Sequence, residues 1–93
     1  MNYSIEFPDG SKVEWVDRET LRYSEDPKSV LIWVDFEPGF FSRGRIIKAS
    51  SIQQWESVDT QEASTITNEK RTDIIEKIKK YYKRFRKPCR VED

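Results

Sequence analysis

One amphipathic stripe near the C-terminus limits, more than any other feature, what this chain can fold into. Apolar and aromatic residues recur there at helical spacing, namely Ile74, Ile75, Ile78, Tyr81, Tyr82 and Phe85. This spacing places them on one face of an α-helix. Thr67 or Asn68 can cap the start of the helix, and Pro88 blocks its continuation. We therefore predict a helix from about residue 68 to 87, with an apolar face that has to pack on another element.

Short apolar runs ahead of this stripe alternate as strands do. Ile5 and Phe7, followed by PDGS and then by Val13 and Trp15, predict a β-hairpin with a Gly-containing turn. A short third strand is expected around residues 20 to 23. The N-terminal part of the chain is therefore expected to form a sheet.

The run VLIWV lies in the strongest predicted strand, residues 30–36. It has no polar interruption, which predicts a central strand that is covered on both faces, at least partly. After the connection EPGFFSRG, a strand over residues 45–49 should return antiparallel to it. The final CRVED either adds a short edge strand or frays.

These elements predict a single domain of the α+β class over residues 1–93. Its sheet is an antiparallel meander of about four strands within residues 1–49, and a C-terminal amphipathic helix in the region 67–88 packs on one face. Residues 50–66 are expected to form a turn and a polar loop.

The stretch SSIQQWE follows the last predicted strand and raises a local question. In a strand, Ile52 and Trp55 would point to opposite faces, whereas a helical turn places both on one face. Ser50 and Gln53 have the spacing of a capping box. We therefore expect the strand to end near Ala49 and a short helical or 3₁₀ turn to direct Ile52 and Trp55 into the core.

Missing residue types exclude several kinds of chemistry. The chain has no histidine, one cysteine (Cys89) and three glycines that form no phosphate-binding motif. The usual general base, zinc or iron–sulfur ligand sets and P-loop chemistry are therefore not available. We expect a protein that is not an enzyme and has no cofactor or metal, with catalysis by paired carboxylates as the alternative.

The chain also lacks targeting signals that composition would reveal. Its N-terminus has no basic segment followed by an apolar one, and VLIWV is far shorter than the roughly 20 residues of a membrane helix. A single cysteine is compatible with a reducing compartment. We expect a cytoplasmic protein with no membrane partner.

Charge divides the chain into two parts. Residues 1–68 carry 7 basic and 12 acidic residues, whereas residues 69–93 carry 10 basic and 5 acidic ones. The second part predicts, as one alternative, a nucleic-acid-binding surface of Lys79, Lys80, Lys83, Arg84, Arg86 and Lys87 interleaved with aromatic residues. The other interpretation places the aromatic residues in the core and Lys77, Lys80, Lys83, Arg84 and Lys87 on the solvated face of the helix.

A second candidate surface lies in and around the connection after residue 36. Phe40, Phe41, Arg43 and Arg45 combine aromatic rings with arginine, the composition of protein–protein hot spots. Asp35 and Glu37 form a second, acidic patch of this protein-binding set. The alternative for the aromatic pair is that one phenylalanine closes the edge of the core.

A family resemblance points in the same direction. SSIQQWE, followed after a polar gap by TITNEKRTDIIEKIKKYYKRF, resembles small bacterial immunity-type proteins of polymorphic toxin systems. Ile66, Thr67, Glu69 and Arg71 fit the family's helix start, and IEFPDGSKVEW is similar to its opening hairpin. The better part of the match covers residues 46–82. The resemblance implies a binding protein that neutralises a toxin by direct protein–protein contact. A structural domain of uncharacterised role is the remaining alternative, besides the nucleic-acid-binding one.

Overall fold

The computed structural model describes residues 3–25, 27–36, 44–56 and 65–92. Six strands form one sheet in chain order: β1 (Ser4–Glu6), β2 (Lys12–Asp17), β3 (Thr20–Glu25), β4 (Lys28–Phe36), β5 (Arg45–Lys48) and β6 (Cys89–Glu92). A 3₁₀ turn (Ala49–Ser51) and one helix, α1 (Asn68–Arg84), complete the regular elements of the described residues. The expected α+β class is confirmed, but about four strands was too low a number.

The sixth strand changes the expected topology. The first five strands pair antiparallel in sequence order, as a meander requires, whereas β6 pairs parallel to β5 with Ile47 opposite Val91. A parallel pair needs a crossover connection, and α1 lies within the segment that joins these two strands. Cys89–Glu92 therefore forms an edge strand parallel to β5, and the connection between the two strands contains α1.

The core lies between one face of the sheet and α1. Side chains that alternate along the strands share this face, because successive residues of a strand point to opposite sides. The cluster includes Val13, Leu21, Tyr23, Val30, Ile32, Val34 and Ile47 from the sheet, with Ile74, Ile78, Tyr81 and Tyr82 from the helix. The predicted helical stripe is thus the apolar face of α1, and four of its six members (Ile74, Ile78, Tyr81 and Tyr82) are buried.

The opposite face of the sheet bears on the prediction for β4. Val30, Ile32 and Val34 are buried, but Trp33 is 57% exposed and Leu31 is half-buried. Among the described residues only one helix packs on the sheet, and it covers one face. The second face of β4 is therefore only partly covered, with Trp33 as its exposed apolar member.

The turn predicted from SSIQQWE is present, with a different capping arrangement. The 3₁₀ turn is followed by Ile52 and Trp55, which are 0% and 7% exposed and belong to the core. The expected capping box is wrong, because the turn starts at Ala49, one residue early for that spacing. Instead, the Ser51 hydroxyl donates to the Lys48 carbonyl oxygen (2.6 Å) and accepts from the Trp33 backbone N–H (3.0 Å).

Both ends of α1 have identifiable caps. The Thr67 hydroxyl oxygen accepts from the Lys70 backbone N–H at 3.1 Å, as predicted. At the other end, Arg86 takes a left-handed conformation (φ 57°), and the Lys87 N–H donates to the Tyr82 carbonyl oxygen at 2.8 Å. This is a Schellman motif, so the helix ends at Arg84 and not at residue 87. Lys87 precedes proline, which disfavours the helical conformation there.

Replacing Trp55 by Ala is expected to lower the free energy of unfolding by about 3 to 5 kcal/mol, because a buried indole leaves a cavity. Trp33→Ala is the matched control: its side chain is largely exposed, so we expect a change of at most about 1 kcal/mol. Chemical denaturation followed by circular dichroism measures both. Equal effects of the two substitutions would contradict the assignment of Trp55 to the core.

Candidate functional site

The densest cluster of ionisable groups surrounds a lysine that the sequence interpretation placed in solvent. Lys77 is only 8% exposed, which corrects that expectation. Its ammonium group lies 2.5 Å from an Asp9 carboxylate oxygen, 3.2 Å from Asp73 and 3.1 Å from the Tyr23 hydroxyl. The stem of a lysine can lie along apolar surface while its charge is paired, and this one crosses from α1 to the β1–β2 turn.

The β1–β2 turn is built to present Asp9. Gly10 adopts a left-handed φ of 89°, and its N–H donates to the Phe7 carbonyl oxygen at 2.9 Å. The Asp9 carboxylate also accepts from the backbone N–H and the hydroxyl of Ser11, at 2.9 and 2.5 Å. The hydrogen bonds within the turn therefore hold Asp9 independently of its bond to the helix.

Hydrogen bonding sets the charge states within this cluster. The Lys77 ammonium and then Ser11 stabilise the Asp9 carboxylate and hold its pKa far below the ordinary value. Desolvation disfavours the charge on Lys77, but the hydrogen bonds to Asp9, Tyr23 and Asp73 outweigh it, and the net effect raises its pKa. Both groups are therefore ionised across the physiological pH range.

Tyr23 and Glu25 extend the cluster without making it reactive. The Tyr23 hydroxyl donates to a Glu25 carboxylate oxygen at 2.5 Å, and Lys70 of α1 donates to the same carboxylate at 2.7 Å. Burial, reinforced by the bond to Glu25, raises the pKa of Tyr23. Every buried polar side-chain atom of the described residues has a partner. A lysine with a raised pKa is a poor nucleophile or base at neutral pH, so the geometry fits a structural tie and not catalysis.

Removing the buried cation is expected to destabilise the protein. Lys77→Met keeps the length of the stem but abolishes the charged hydrogen bonds, which we expect to cost about 1 to 3 kcal/mol at pH 7. Asp9→Asn should also destabilise at pH 7. Glu76→Gln, which changes an exposed carboxylate of the same helix, is the matched control and should change little. Urea denaturation measures all three.

The pH dependence of this destabilisation follows from the two pKa shifts. A depressed Asp9 pKa gives stability that is present above about pH 4 and is lost as the pH falls further. A raised Lys77 pKa gives stability that is complete below about pH 10.5 and is lost as the pH rises above it. The difference in the free energy of unfolding between the wild type and Asp9→Asn should therefore shrink on acidification from about pH 5 to pH 2. A constant difference would contradict the assigned ion pair.

The predicted protein-binding residues divide into two groups. Glu37, Phe40, Phe41 and Arg43 lie outside the described residues. The other two lie on opposite faces of the sheet: Asp35 on the face that α1 leaves uncovered, and Arg45 beside Tyr82 in a cleft at the end of the helix. Asp35 and Arg45 therefore belong to two different surfaces.

The predicted nucleic-acid-binding residues are all exposed, as either interpretation of the helix requires. They comprise Lys79, Lys80, Lys83, Arg84, Arg86 and Lys87. However, the aromatic residues between them are not available for stacking, because Tyr81 and Tyr82 are 3% and 6% exposed and Phe85 is half-buried. Burial also raises the pKa of Tyr81 to about 12, as expected for a phenol in the core. The helix alone therefore offers cations without a stacking surface.

The face of the sheet opposite α1 presents a surface that sequence reasoning missed. We call it the open face and define it by Leu31, Trp33 and Asp35 of β4 with Arg22 of β3 and Lys48 of β5. Asp35 is paired with Ile46 of β5, so both side chains lie on this face. Ile46 is 5% exposed and does not belong to the core cluster under α1. The sequence signal for this surface was the alternation of side chains along the strand VLIWV. If a single helix covers one face of the sheet, Leu31 and Trp33 lie on the other face.

Ion pairs surround the apolar centre of the open face. On one side, Lys48 lies 3.5 Å from Asp35 and 2.6 Å from Glu92. The bond to Glu92 raises the pKa of Lys48, while the same bond lowers the pKa of Glu92. On the other side, Glu14 lies 3.7 Å from Arg22. An apolar centre with a charged rim is the anatomy of a protein–protein interface.

Comparisons with known proteins add no relative. No family model matches the chain, and the searches of curated proteins and of solved structures find no match either. Within the described residues, no helix is long and apolar enough to cross a membrane and no acidic or sulfur-containing cluster has the arrangement of a metal site. Function therefore has to be argued from the surfaces themselves.

Proposed function

We propose that this chain is a non-enzymatic binding protein that recognises a protein partner through the open face, with Trp33 as its anchor. The observation that carries the proposal is the 57% exposure of this indole on the central strand of the sheet. Tryptophan is enriched at interface hot spots, because a large ring that leaves water on binding contributes much of the affinity. Packing in the core does not account for this tryptophan, because most of its surface is in contact with water.

The position of Trp33 suits recognition. Its strand is paired on both sides, with Thr20 opposite on β3, and its backbone N–H is held by Ser51 at 3.0 Å. The paired backbone fixes the point from which the ring projects, which lowers the entropic cost of association. The rim of Asp35, Lys48 and Arg22 carries both signs of charge, so it supplies orientation more than net attraction.

The partner chemistry follows from the same surface. A complementary partner offers an apolar pocket for one indole and charged groups that match the rim. The resemblance to immunity-type proteins makes a toxin the proposed partner, and the fold's compact sheet and helix agree with an inhibitor that blocks a site by contact. Phe40, Phe41, Arg43 and Glu37 follow β4 in the sequence and stay predicted contacts with the protein partner.

Replacing Trp33 by Ala is expected to weaken partner binding by at least about thirtyfold, which is about 2 kcal/mol and the threshold of a hot spot. The partner to use is the purified product of the gene adjacent to the one that encodes this chain, measured by isothermal titration calorimetry. Trp15→Ala, which removes the other largely exposed indole on the opposite side of the sheet, is the matched control and should retain affinity. Co-expression should relieve any growth defect that the partner causes, and the Trp33 variant should fail to do so.

Two results would contradict this proposal. One is equal affinity of the wild type and the Trp33 variant while their free energies of unfolding also agree. The other is a concentration-dependent dimer of the wild type that becomes a monomer in the Trp33 variant, detected by light scattering, because the open face would then be a surface for self-association.

A further inference from the structure

A cleft lies at the C-terminal end of α1, away from the open face. It has a volume of about 490 Å³, which falls in the range of small-molecule sites. Its walls come from the start of the chain, the β2–β3 turn, β5 and the residues after the helix. The cleft exists because α1 ends at Arg84, so the strand residues beyond that point have no helix above them.

Aromatic rings form one wall of this cleft. Trp15 is 51% exposed and Tyr3 is 43% exposed, although Trp15 shares its side of β2 with the fully buried Val13. The Tyr3 ring packs edge-to-face against Trp15 at a centroid distance of 6.3 Å and against Phe85 at 5.5 Å. The Tyr81 hydroxyl donates to the Tyr3 carbonyl oxygen at 2.9 Å and fixes this wall to the helix. The wall thus presents indole and phenol surface on a fixed frame.

Three cationic side chains also line the cleft. Arg18, Arg45 and Lys87 contribute to its lining from three different segments, whereas Asp17 is the one carboxylate among the described lining residues. That carboxylate accepts from the Glu19 backbone N–H at 2.9 Å and so serves the β2–β3 turn. Burial raises the pKa of Tyr82, and the Arg45 guanidinium, which lines the same cleft, opposes this shift. Among the described lining residues, cationic side chains therefore outnumber carboxylates.

We propose that this cleft binds a small ligand that combines a planar aromatic group with an anionic group, of the class of a nucleoside monophosphate. The aromatic group would lie against Trp15, since every nucleobase has a face that can stack on an aromatic side chain. The phosphate would lie near Arg45 and Lys87, since guanidinium and ammonium groups are the usual phosphate partners. A cleft of this volume holds about one nucleotide, which favours a free nucleotide over a longer strand.

The proposal is independent of the proposed protein partner, because Trp15 and Trp33 lie on opposite sides of the sheet. It also differs from binding along the helix, since the stacking surface comes from Tyr3 and Trp15 and not from α1. Both phosphate partners lie outside the regular helix, one on β5 and one in the segment after the Schellman motif. The ligand would thus be held by groups that the fold brings together from positions 15, 45 and 87.

Isothermal titration calorimetry of the full chain at low salt tests this proposal with four probes: adenosine monophosphate, adenosine, inorganic phosphate and an eight-nucleotide deoxyadenosine strand. We expect adenosine monophosphate to bind with a Kd below about 1 mM and the two fragments to bind at least about tenfold more weakly. Its affinity should fall with rising salt, because the phosphate contributes. Failure of adenosine monophosphate to bind would overturn the proposal. Phosphate binding as tightly would also overturn it, as would a strand that binds more than about tenfold tighter.

Variants locate the ligand within the cleft. Trp15→Ala and Lys87→Gln should each weaken adenosine monophosphate binding by about tenfold, and Trp15→Phe should retain most of the affinity because a ring remains. Lys80→Gln, which neutralises an exposed cation of the helix outside the cleft, is the matched control. Thermal unfolding of each variant separates loss of the site from loss of the fold. Wild-type affinity in both Trp15→Ala and Lys87→Gln would place the ligand elsewhere and overturn the proposal.

Discussion

The bond between Lys77 and Asp9 helps to fix α1 against the sheet, and the surfaces that stay exposed depend on where the helix lies. It joins the middle of α1 to the turn between the first two strands, 68 residues away in the sequence. Two further contacts fix the start of the helix, because Arg71 donates from Nε to the Ile52 carbonyl oxygen at 2.9 Å and Lys70 pairs with Glu25. The apolar stripe supplies the driving force for docking, and these polar contacts set the position of the helix.

A helix held in this position leaves two aromatic surfaces in water. It covers one face of the sheet, so Trp33 on the other face stays exposed, and it ends before it reaches Trp15. The third tryptophan, Trp55, lies in the core with its ring 6.1 Å from that of Tyr23. The same residue type therefore serves three purposes, and only the position of each relative to α1 distinguishes them. Stability depends on the covered face, while recognition is proposed for the surfaces that the helix does not reach.

Sequence patterns predicted the local elements well, because local elements follow from local periodicity. The hairpin at PDGS, the Thr67 cap, the turn after Ala49 and the stripe of α1 all depend on residues a few positions apart. The parallel placement of β6 and the burial of Lys77 could not be predicted in this way, since each depends on a partner distant in the sequence. Charge alone placed Lys77 in solvent, and nothing near it in the sequence indicates Asp9 as a partner.

The candidate surfaces were less predictable than the fold, for a related reason. The exposure of Trp33 depends on how many faces of the sheet are covered, and β4 looks the same in sequence whether one or two are. The cleft depends on where the helix stops relative to β2, which in turn depends on the left-handed Arg86 ahead of Pro88. The composition of the helix predicted a binding surface of its basic residues and the aromatic residues between them. The aromatic side chains that are exposed, and could bind a ligand together with a cation, are instead Tyr3 and the strand residues Trp15 and Trp33.

A two-dimensional ¹H–¹⁵N spectrum of the three tryptophan indole groups tests this division most directly. Each indole N–H gives one signal, so the core, the open face and the cleft are observed in a single sample. Our account predicts that the partner protein shifts the Trp33 signal and that adenosine monophosphate shifts the Trp15 signal. The Trp55 signal should stay unchanged in both titrations and exchange most slowly with solvent. Movement of Trp15 and Trp33 together with either ligand, or fast exchange of Trp55, would contradict the account.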